Sequence, residues 1–454
     1  MCQADHVNIA QVEAIFETDL NKFDHQDIIS YEEELQRDHL YIVSEFYDGD
    51  SLFNYIIKKG YLEEQDVRMM AKYLLSVIRY CHQELKVVIG CLNPEDIAID
   101  SQISKTHVRL LNLNESWPIN QTHFKDFEID NKIKSYMSLK GTFPNKFLFL
   151  APEILTYSYY IHRDFKVEIS PKVDIWALGC LIYNMITGVP PYYSDKLDDL
   201  QQQLMYSDIR LYLRDNEMIS DCSSDLLDFL HSALEVKSDK RMSVDQAFEH
   251  PWIKNTPPFK NTLQKSIFKD AFKRMKDFKH DCEFLKLVSH LIGNYIISKD
   301  KKSIVYKIFQ AFDVQSRGYL TKADMTYVLT ENEVKFSKED IGIIFENLDS
   351  NKDGRIYFFD VCPSLIDKKD LFNKQYLKEA MNFMDHDKDK LIGFDDLRLM
   401  LDTQTVDDAM ILSMIRQIEG NPSEDEQGQK EGITFRNFLI LCQTQTDDKF
   451  KNNR

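Results

Sequence analysis

The stretch Val88-Ile89-Gly90-Cys91-Leu92-Asn93-Pro94-Glu95-Asp96-Ile97-Ala98-Ile99, with Val108-Arg109-Leu110-Leu111-Asn112-Leu113-Asn114 behind it, anchors this chain of 454 residues. Three landmarks stand downstream of it: Ala151-Pro152-Glu153, Asp174-Ile175-Trp176-Ala177-Leu178-Gly179 and Arg241. From Ser51 to about Ile253 apolar residues recur at helical spacing, as in Leu52, Tyr55 and Ile56, and again in Val67, Met70, Tyr73, Leu74 and Ile78. Stripes of that period predict helices with one face turned to a core. A lone polar member such as His82 reads as filler of the stripe rather than as a ligand. Ahead of the helices, Gln11–Phe16 and His39–Phe46 are strand-like runs separated by a polar, acidic insert from Glu17 to Asp38.

The length admits about two to four domains, each with its own core. There are 56 basic and 74 acidic residues, for a net charge of −18. Binding nucleic acid requires a face of the opposite sign, so this balance argues against general nucleic-acid binding. Carboxylates in such number suit a divalent cation, or simply solubility. The eight cysteines, at 2, 81, 91, 180, 222, 282, 362 and 442, lack the short paired spacings of a zinc site or a disulfide framework, which predicts a reducing, cytoplasmic setting. No apolar run approaches the ~20 residues of a membrane span. Met1-Cys2-Gln3-Ala4-Asp5 carries neither a signal peptide nor the second-position Gly of N-myristoylation. No direct membrane anchor is expected, and attachment would run through a partner.

The C-terminal third repeats. Asp313, Asp349 and Asp385 each follow an apolar helical run and open an acidic loop at a constant period of 36 residues, and the next step lands on Asn421. Such a period marks duplicated supersecondary units, and these resemble EF-hands. An EF-hand loop needs oxygen ligands at positions 1, 3 and 5, a backbone carbonyl at 7, a two-oxygen carboxylate at 12, and a glycine at 6 where the chain turns with positive φ. The second loop supplies Asp349, Asn351, Asp353, Gly354, the carbonyl of Arg355, and Asp360. Asp360 is one methylene shorter than the usual Glu, which lowers affinity or shifts preference from Ca2+ toward Mg2+. The third loop has Asp385, Asp387, Asp389, the carbonyl of Leu391, and Asp396, but Lys390 at the glycine position, where a left-handed lysine costs about 1–2 kcal/mol. In the first loop Arg317 puts a cation at a ligand position and Gln315 offers only an amide, so that loop is expected to be structural. The fourth, from Asn421 to Asn437, is about five residues longer if Ile433 is its pairing position, ends in an amide, and is expected to serve as a structural partner for the third.

Pro257-Pro258 marks a linker over 255–260. Beyond it, Phe268, Phe272 and Met275 share one helical face, with Lys269, Lys273, Arg274, Lys276 and Lys279 elsewhere, and a second stripe runs through Phe284, Leu285, Val288, Leu291, Ile292 and Tyr295. This junction, 263–296, is either a solvated helix or one that docks in the EF-hand module or on the lobe before it.

With Ala151-Pro152-Glu153, Asp174–Gly179, Arg241 and the closing Glu249-His250-Pro251-Trp252-Ile253, the first part of the chain resembles a protein kinase. His6-Val7-Asn8-Ile9 stands where the small lobe leaves its helix, and Glu45-Phe46-Tyr47-Asp48-Gly49 at the hinge, which makes Glu45 and Tyr47 the candidate nucleotide contacts. On this resemblance the sequence begins inside the small lobe, without the Gly-rich loop, the strand lysine or its glutamate partner. The catalytic positions depart from the pattern. Where such kinases carry His-Arg-Asp-Leu-Lys-Pro-Glu-Asn and Asp-Phe-Gly, this chain has Ile89–Asp96 and Asn112-Leu113-Asn114. Cys91 matches the catalytic base, Asn93 the phosphate-neutralising lysine, Asp96 the metal-holding asparagine and Asn112 the metal-chelating aspartate. A thiol cannot replace a carboxylate base, a loss of about 10²–10⁴-fold. A neutral residue at 112 weakens the charge stabilisation on which such catalysis chiefly depends. Glu153 and Arg241 match a buried ion pair, and Asp174 matches the brace of the catalytic-loop backbone. Eight residues separate Gly141-Thr142 from Ala151, about twice the usual number, which puts peptide docking in question.

Lobe, junction and four hands together resemble the calcium-dependent protein kinase family of plants and protists. The resemblance implies an α+β, protein-kinase-like fold with a truncated small lobe and a helical large lobe, followed by an all-α, calmodulin-like module. The expected boundaries are 1–50 for the small-lobe remnant and hinge, 51–254 for the large lobe, 255–304 for linker and junction, 305–446 for the hands and 447–454 for a polar tail. The expected function is a calcium-binding pseudokinase acting as a responsive binding or scaffold protein, with Ca2+, or alternatively Mg2+, as its ion and an ATP site in question. The alternatives are an active serine/threonine kinase, if a full-length product restores the small lobe, and a static component of a larger, for example cytoskeletal, assembly. Expected partners are another protein and, within the chain, the junction helix with the EF-hand module.

Overall fold

A computed structural model describes residues 5–17, 40–47, 49–101, 103–114, 116–119, 145–155, 170–194, 196–206, 209, 213, 216–256, 263–280, 282–401, 406–419 and 432–444. The acidic insert after Glu17, Gly141-Thr142, Pro257-Pro258, Asn421 and the tail from 447 lie outside these residues. Two compact units are present, the first made by Met1–Pro258 with Ser316–Gly318, the second by Phe259–Gln315 and Tyr319–Arg454. The fold class is α+β.

In the first unit, Val12–Glu17 and Leu40–Ser44 form an antiparallel ribbon, and Ile9 bridges in parallel to Leu110. The core is built on two long helices, Glu64–Tyr80 and Val173–Thr187. Val67, Met70, Tyr73, Leu74 and Ile78 of the first are all buried, as their spacing predicts. The second is apolar around nearly its whole circumference and buried throughout from Val173 to Ile186, the pattern of a central core helix. Within the region that reads as helical the structure also places short strands. Ile97–Ile99 pairs with Val108–Leu110, and Val87–Val88 with Trp117–Pro118. Their β-branched runs are too short to carry a period, and pairing across the fold decides them. Trp252 closes the lobe, fully buried, with its indole N–H donating to Glu64 Oε1 (2.9 Å).

The second unit begins with the junction helices Lys265–Lys276 and Glu283–Leu291, the latter running into a π turn over Ile292–Ile296. Among the described residues four pairs of helices follow: Lys299–Phe312 with Lys322–Glu331, Lys338–Leu348 with Phe358–Leu365, Lys374–Met384 with Phe394–Met400, and Asp408–Glu419 with Phe435–Thr444. Capping boxes at Thr321 and Ser337 start two of these helices. The loops pair through two-strand bridges, Leu320 with Ile356 and Ile392 with Ile433, all four side chains buried. Among the described residues, no helix is long and apolar enough to cross a membrane.

The junction folds with the hands. Phe268, Phe272 and Met275 are buried, Phe268 lying 5.6 Å from the Phe312 ring and Phe272 6.4 Å from Phe336. Its cations meet acidic groups on the hands, in Lys265 to Glu333 (2.6 Å) and Lys276 to Asp340 (2.5 Å), and Arg274 donates to the Leu365 carbonyl (2.8 Å). In the second junction helix, Phe284 meets the Phe438 ring edge-on at 5.9 Å.

Candidate functional site

The loop Ile89–Asp96 is held from beneath. Asp174, fully buried near the start of the central helix, accepts the backbone N–H of Ile89 at Oδ2 (2.9 Å) and of Gly90 at Oδ1 (2.8 Å). His82 Nε2 also donates to Asp174 Oδ2 (2.8 Å), so a residue taken for filler from its spacing belongs to the brace. Nothing in the sequence marks it, because the two residues are 92 positions apart. Gly90 has φ +83°, and a Cβ built there would lie 1.9 Å from the Trp117 ring. The space into which a side chain at 90 would extend is therefore filled by the indole. Glu153 and Arg241 make the matching clamp. Both guanidinium NH2 groups meet Glu153 (2.8 and 3.0 Å), the carbonyls of Glu235, Lys172 and Val236 accept further bonds, and the cation sits 5.1 Å from the Trp176 ring centre. Removing one side of such a buried pair costs about 3–5 kcal/mol, which ties its presence to folding.

At Cys91, Asn93, Asp96 and Asn112 polar groups bond to one another. Asn93 Oδ1 accepts the backbone N–H groups of Glu95 and Asp96 and caps the short 3₁₀ turn Pro94–Asp96. Its amide donates to the Cys91 carbonyl (3.0 Å) and to Asp96 Oδ2. The Asn112 amide donates to Asp96 Oδ1 (2.7 Å). Both oxygens of the Asp96 carboxylate are thus engaged by neutral amides. No second carboxylate stands at 91 or 112, so these residues do not fit a metal-bound triphosphate. Of the hinge candidates, the Tyr47 hydroxyl donates to Glu45 Oε2 (2.7 Å) and its ring lies 5.0 Å from the Arg109 guanidinium; burial raises the Tyr47 phenol above its ordinary pKa.

In the EF-hand loops the backbone repeats what the spacing predicts. Position 6 is left-handed in three loops, at Gly318 (φ +81°), Gly354 (φ +81°) and Lys390 (φ +72°), as is position 4 at Ser316, Lys352 and Lys388. In the second loop Asp349 accepts the N–H of Asp353 (3.2 Å) and Gly354 (2.9 Å), and Asp353 Oδ1 that of Arg355 (2.8 Å). Asn351 Oδ1 accepts from Asp353 (3.3 Å), and Asp360 takes the Ser350 hydroxyl (3.0 Å). Burial raises the Asp360 carboxyl to a pKa of about 6, against the lowering effect of Ser350 and Lys286. In the third loop, ligand oxygens of Asp385, Asp387 and Asp396 lie within 4.8 Å of one another, the one such acidic cluster among the described residues. Asp385 Oδ1 is buried with no hydrogen-bond partner, and Oδ2 accepts from Lys390 N–H (2.9 Å). Asp389 Oδ1 accepts from Leu391 N–H (2.9 Å), while Asp396 accepts from His386 and Gly393 (both 2.8 Å). An orphaned buried carboxylate oxygen inside an oxygen-only donor set fits a hard divalent cation. The structure thus gathers the third-loop carboxylates more tightly than the second-loop ones. In the first loop Asp324, at position 12, spends its Oδ2 on the N–H and hydroxyl of Thr321.

Fold and site define a kinase-type lobe followed by a calcium-binding hand module. The protein kinase domain family matches residues 5–253, more than half of the chain, and the EF-hand domain pair family matches 302–366. Calcium-dependent protein kinase 7 of Arabidopsis thaliana is 23% identical over 424 residues, covering 93% of this chain and 72% of that protein. Calcium-dependent protein kinase 5 of Plasmodium falciparum is 24% identical over 407 residues, covering 88% and 66%. The chain belongs to the calcium-dependent protein kinase family, with calcium-binding EF-hands behind a protein kinase domain.

Proposed function

We propose that this family member is a pseudokinase, a calcium-responsive binding or scaffold protein that does not transfer phosphate. The observation that carries the reading is Asp96, whose two carboxylate oxygens are bonded by the Asn93 and Asn112 amides where a working site would hold metal. Cys91 adds the loss of the base. The Asp174 brace and the Glu153–Arg241 clamp support a lobe that folds for its surface.

Calcium would enter at Asp349, Asn351, Asp353, the Arg355 carbonyl and Asp360, and at Asp385, Asp387, Asp389, the Leu391 carbonyl and Asp396. Its route to the junction is short. Asp360 sits in the first turn of the helix Phe358–Leu365, whose Phe359 ring stacks on His290 (5.3 Å) and whose Phe359 carbonyl accepts from the Asn294 amide (3.1 Å). Cys362 donates to the Gly293 carbonyl (3.1 Å), and a Cβ at Gly293 would come within 2.9 Å of Pro363. A pull on Asp360 would move a helix packed on the junction, and with it the protein surface offered to a partner. Two experiments test this. Purified full-length product with ATP and magnesium should transfer no phosphate to protein or peptide substrates; transfer abolished by a substitution in the nucleotide cleft would overturn the pseudokinase reading. Affinity capture with and without calcium, followed by mass spectrometry, should yield a calcium-dependent protein partner, and an identical set in both conditions would overturn the responsive reading.

A further inference from the structure

We infer that the fourth hand is closed by its own side chains in place of an ion, so that the C-terminal pair of hands keeps its arrangement without calcium. In an ion-loaded hand the position-12 carboxylate ties the exiting helix to ligands at the start of the loop. Counting from the bridge residue Ile433, position 12 of this hand is Asn437, in the first turn of Phe435–Thr444. Its amide Nδ2 donates to Glu419 Oε2 (2.8 Å), and Glu419 ends the entering helix Asp408–Glu419. The other oxygen, Oε1, accepts the backbone N–H of Thr434 (2.6 Å) and its hydroxyl (3.0 Å). Thr434 closes the strand Gly432–Thr434, whose partner strand Leu391–Gly393 belongs to the third loop.

One carboxylate therefore joins the entering helix, the bridge strand and the exiting helix, the three parts that calcium joins in an ordinary hand. Hydrogen bonds to an ionised acceptor are roughly twice as strong as neutral ones. The amide matters because it donates. A carboxylate at 437 would face Glu419 as a like charge and would require a cation between them, whereas Asn437 bonds to it directly. The other three hands carry Asp at this position, Asp324, Asp360 and Asp396, which accept bonds from their own loops, so among the described residues position 12 donates to an entering-helix carboxylate in the fourth hand alone. Across the bridge it gives the third loop a fixed partner strand and leaves the larger calcium-dependent change to the N-terminal pair. That division rests on the calcium-responsive reading above; the lock itself does not.

Amide hydrogen exchange on the full chain, in EGTA and in millimolar calcium, tests the lock with the wild type and Asn437→Asp. In the wild type, segment 432–444 should be equally protected in both solutions, while 356–365 gains protection with calcium. In Asn437→Asp, exchange in 432–444 should be faster by about tenfold or more in EGTA and should slow again with calcium. Wild-type protection of 432–444 that rises with calcium, or an Asn437→Asp protein that exchanges like the wild type in EGTA, would overturn the lock. Unchanged exchange at 356–365 together with the expected behaviour at 432–444 would overturn the N-terminal sensor and uphold the lock.

Discussion

The Asn112 amide donates to the Asp96 carboxylate across 2.7 Å, joining the segment after the strand Val108–Leu110 to the end of the loop Ile89–Asp96 by a bond that needs no ion. An amide at 112 and a carboxylate at 96 satisfy each other in this contact. Asn112→Asp should reverse this. Two carboxylates in that contact repel by an amount on the order of 1–3 kcal/mol, so the variant should melt several degrees lower in EDTA and recover in millimolar magnesium. The wild type should show only the magnesium dependence that its EF-hand loops confer, and the variant a further one on top of it. A variant as stable as the wild type in EDTA would mean that the contact is not a substitute for metal.

Gly90 and Trp117 form a second coupled pair. Gly90→Ala forces a side chain into the left-handed region, at about 1–2 kcal/mol, and into the indole 1.9 Å away. We expect Trp117→Ala to cost clearly less stability in the Gly90→Ala background than alone, because the collision is relieved. A double-mutant cycle by urea titration checks it, and additivity within about 0.5 kcal/mol would show that the ring does not fill the slot.

Asp349→Ala with Asp353→Ala should remove the calcium-induced change of the N-terminal pair, while Asp313→Ala does little, since Arg317 already places a cation among the first-loop ligands. Asp385→Ala with Asp387→Ala should remove a separate binding step. Calorimetric titration distinguishes the steps. Loss of the N-terminal response in the first-loop variant would invert the ranking.

The Asp360 carboxyl is raised to about 6 by burial. A folded pKa above the ordinary carboxylate value means that the ion-free fold favours the protonated form. Stability drawn from this group is therefore present at low pH and lost as pH rises from about 4 through 6. Calcium needs the carboxylate, so below pH 6 it must displace a proton, and second-loop affinity should fall by about tenfold per pH unit. Calcium titrations between pH 5 and 7.5 would show this, with one proton released per ion near pH 6. A pH-independent affinity over that range would exclude Asp360 as a ligand.

The period from Asp313 through Asp349 to Asp385 sets helix, loop and bridge at once, since an EF-hand loop is a local object whose turns and ligands follow from neighbours in the chain. The bridge of Ile392 with Ile433 follows the same logic, although the fourth loop is longer. The stripe of Phe268, Phe272 and Met275 likewise specifies an amphipathic helix. It does not say where that helix docks, because an apolar face is complementary to any apolar groove.

The sequence by itself determined the family and the two modules, and it sets a thiol at Cys91 and an amide at Asn112, all of them matters of residue type at a spacing. Only the tertiary structure decided that Asn112 bonds to Asp96, that Trp117 fills the space over Gly90, that His82 serves Asp174, and that Glu419 closes on Asn437. The physical reason is that a polar or aromatic side chain has its role set by whichever group packing brings within a few ångströms, and residues 16 to 92 positions apart carry no local signal of that meeting.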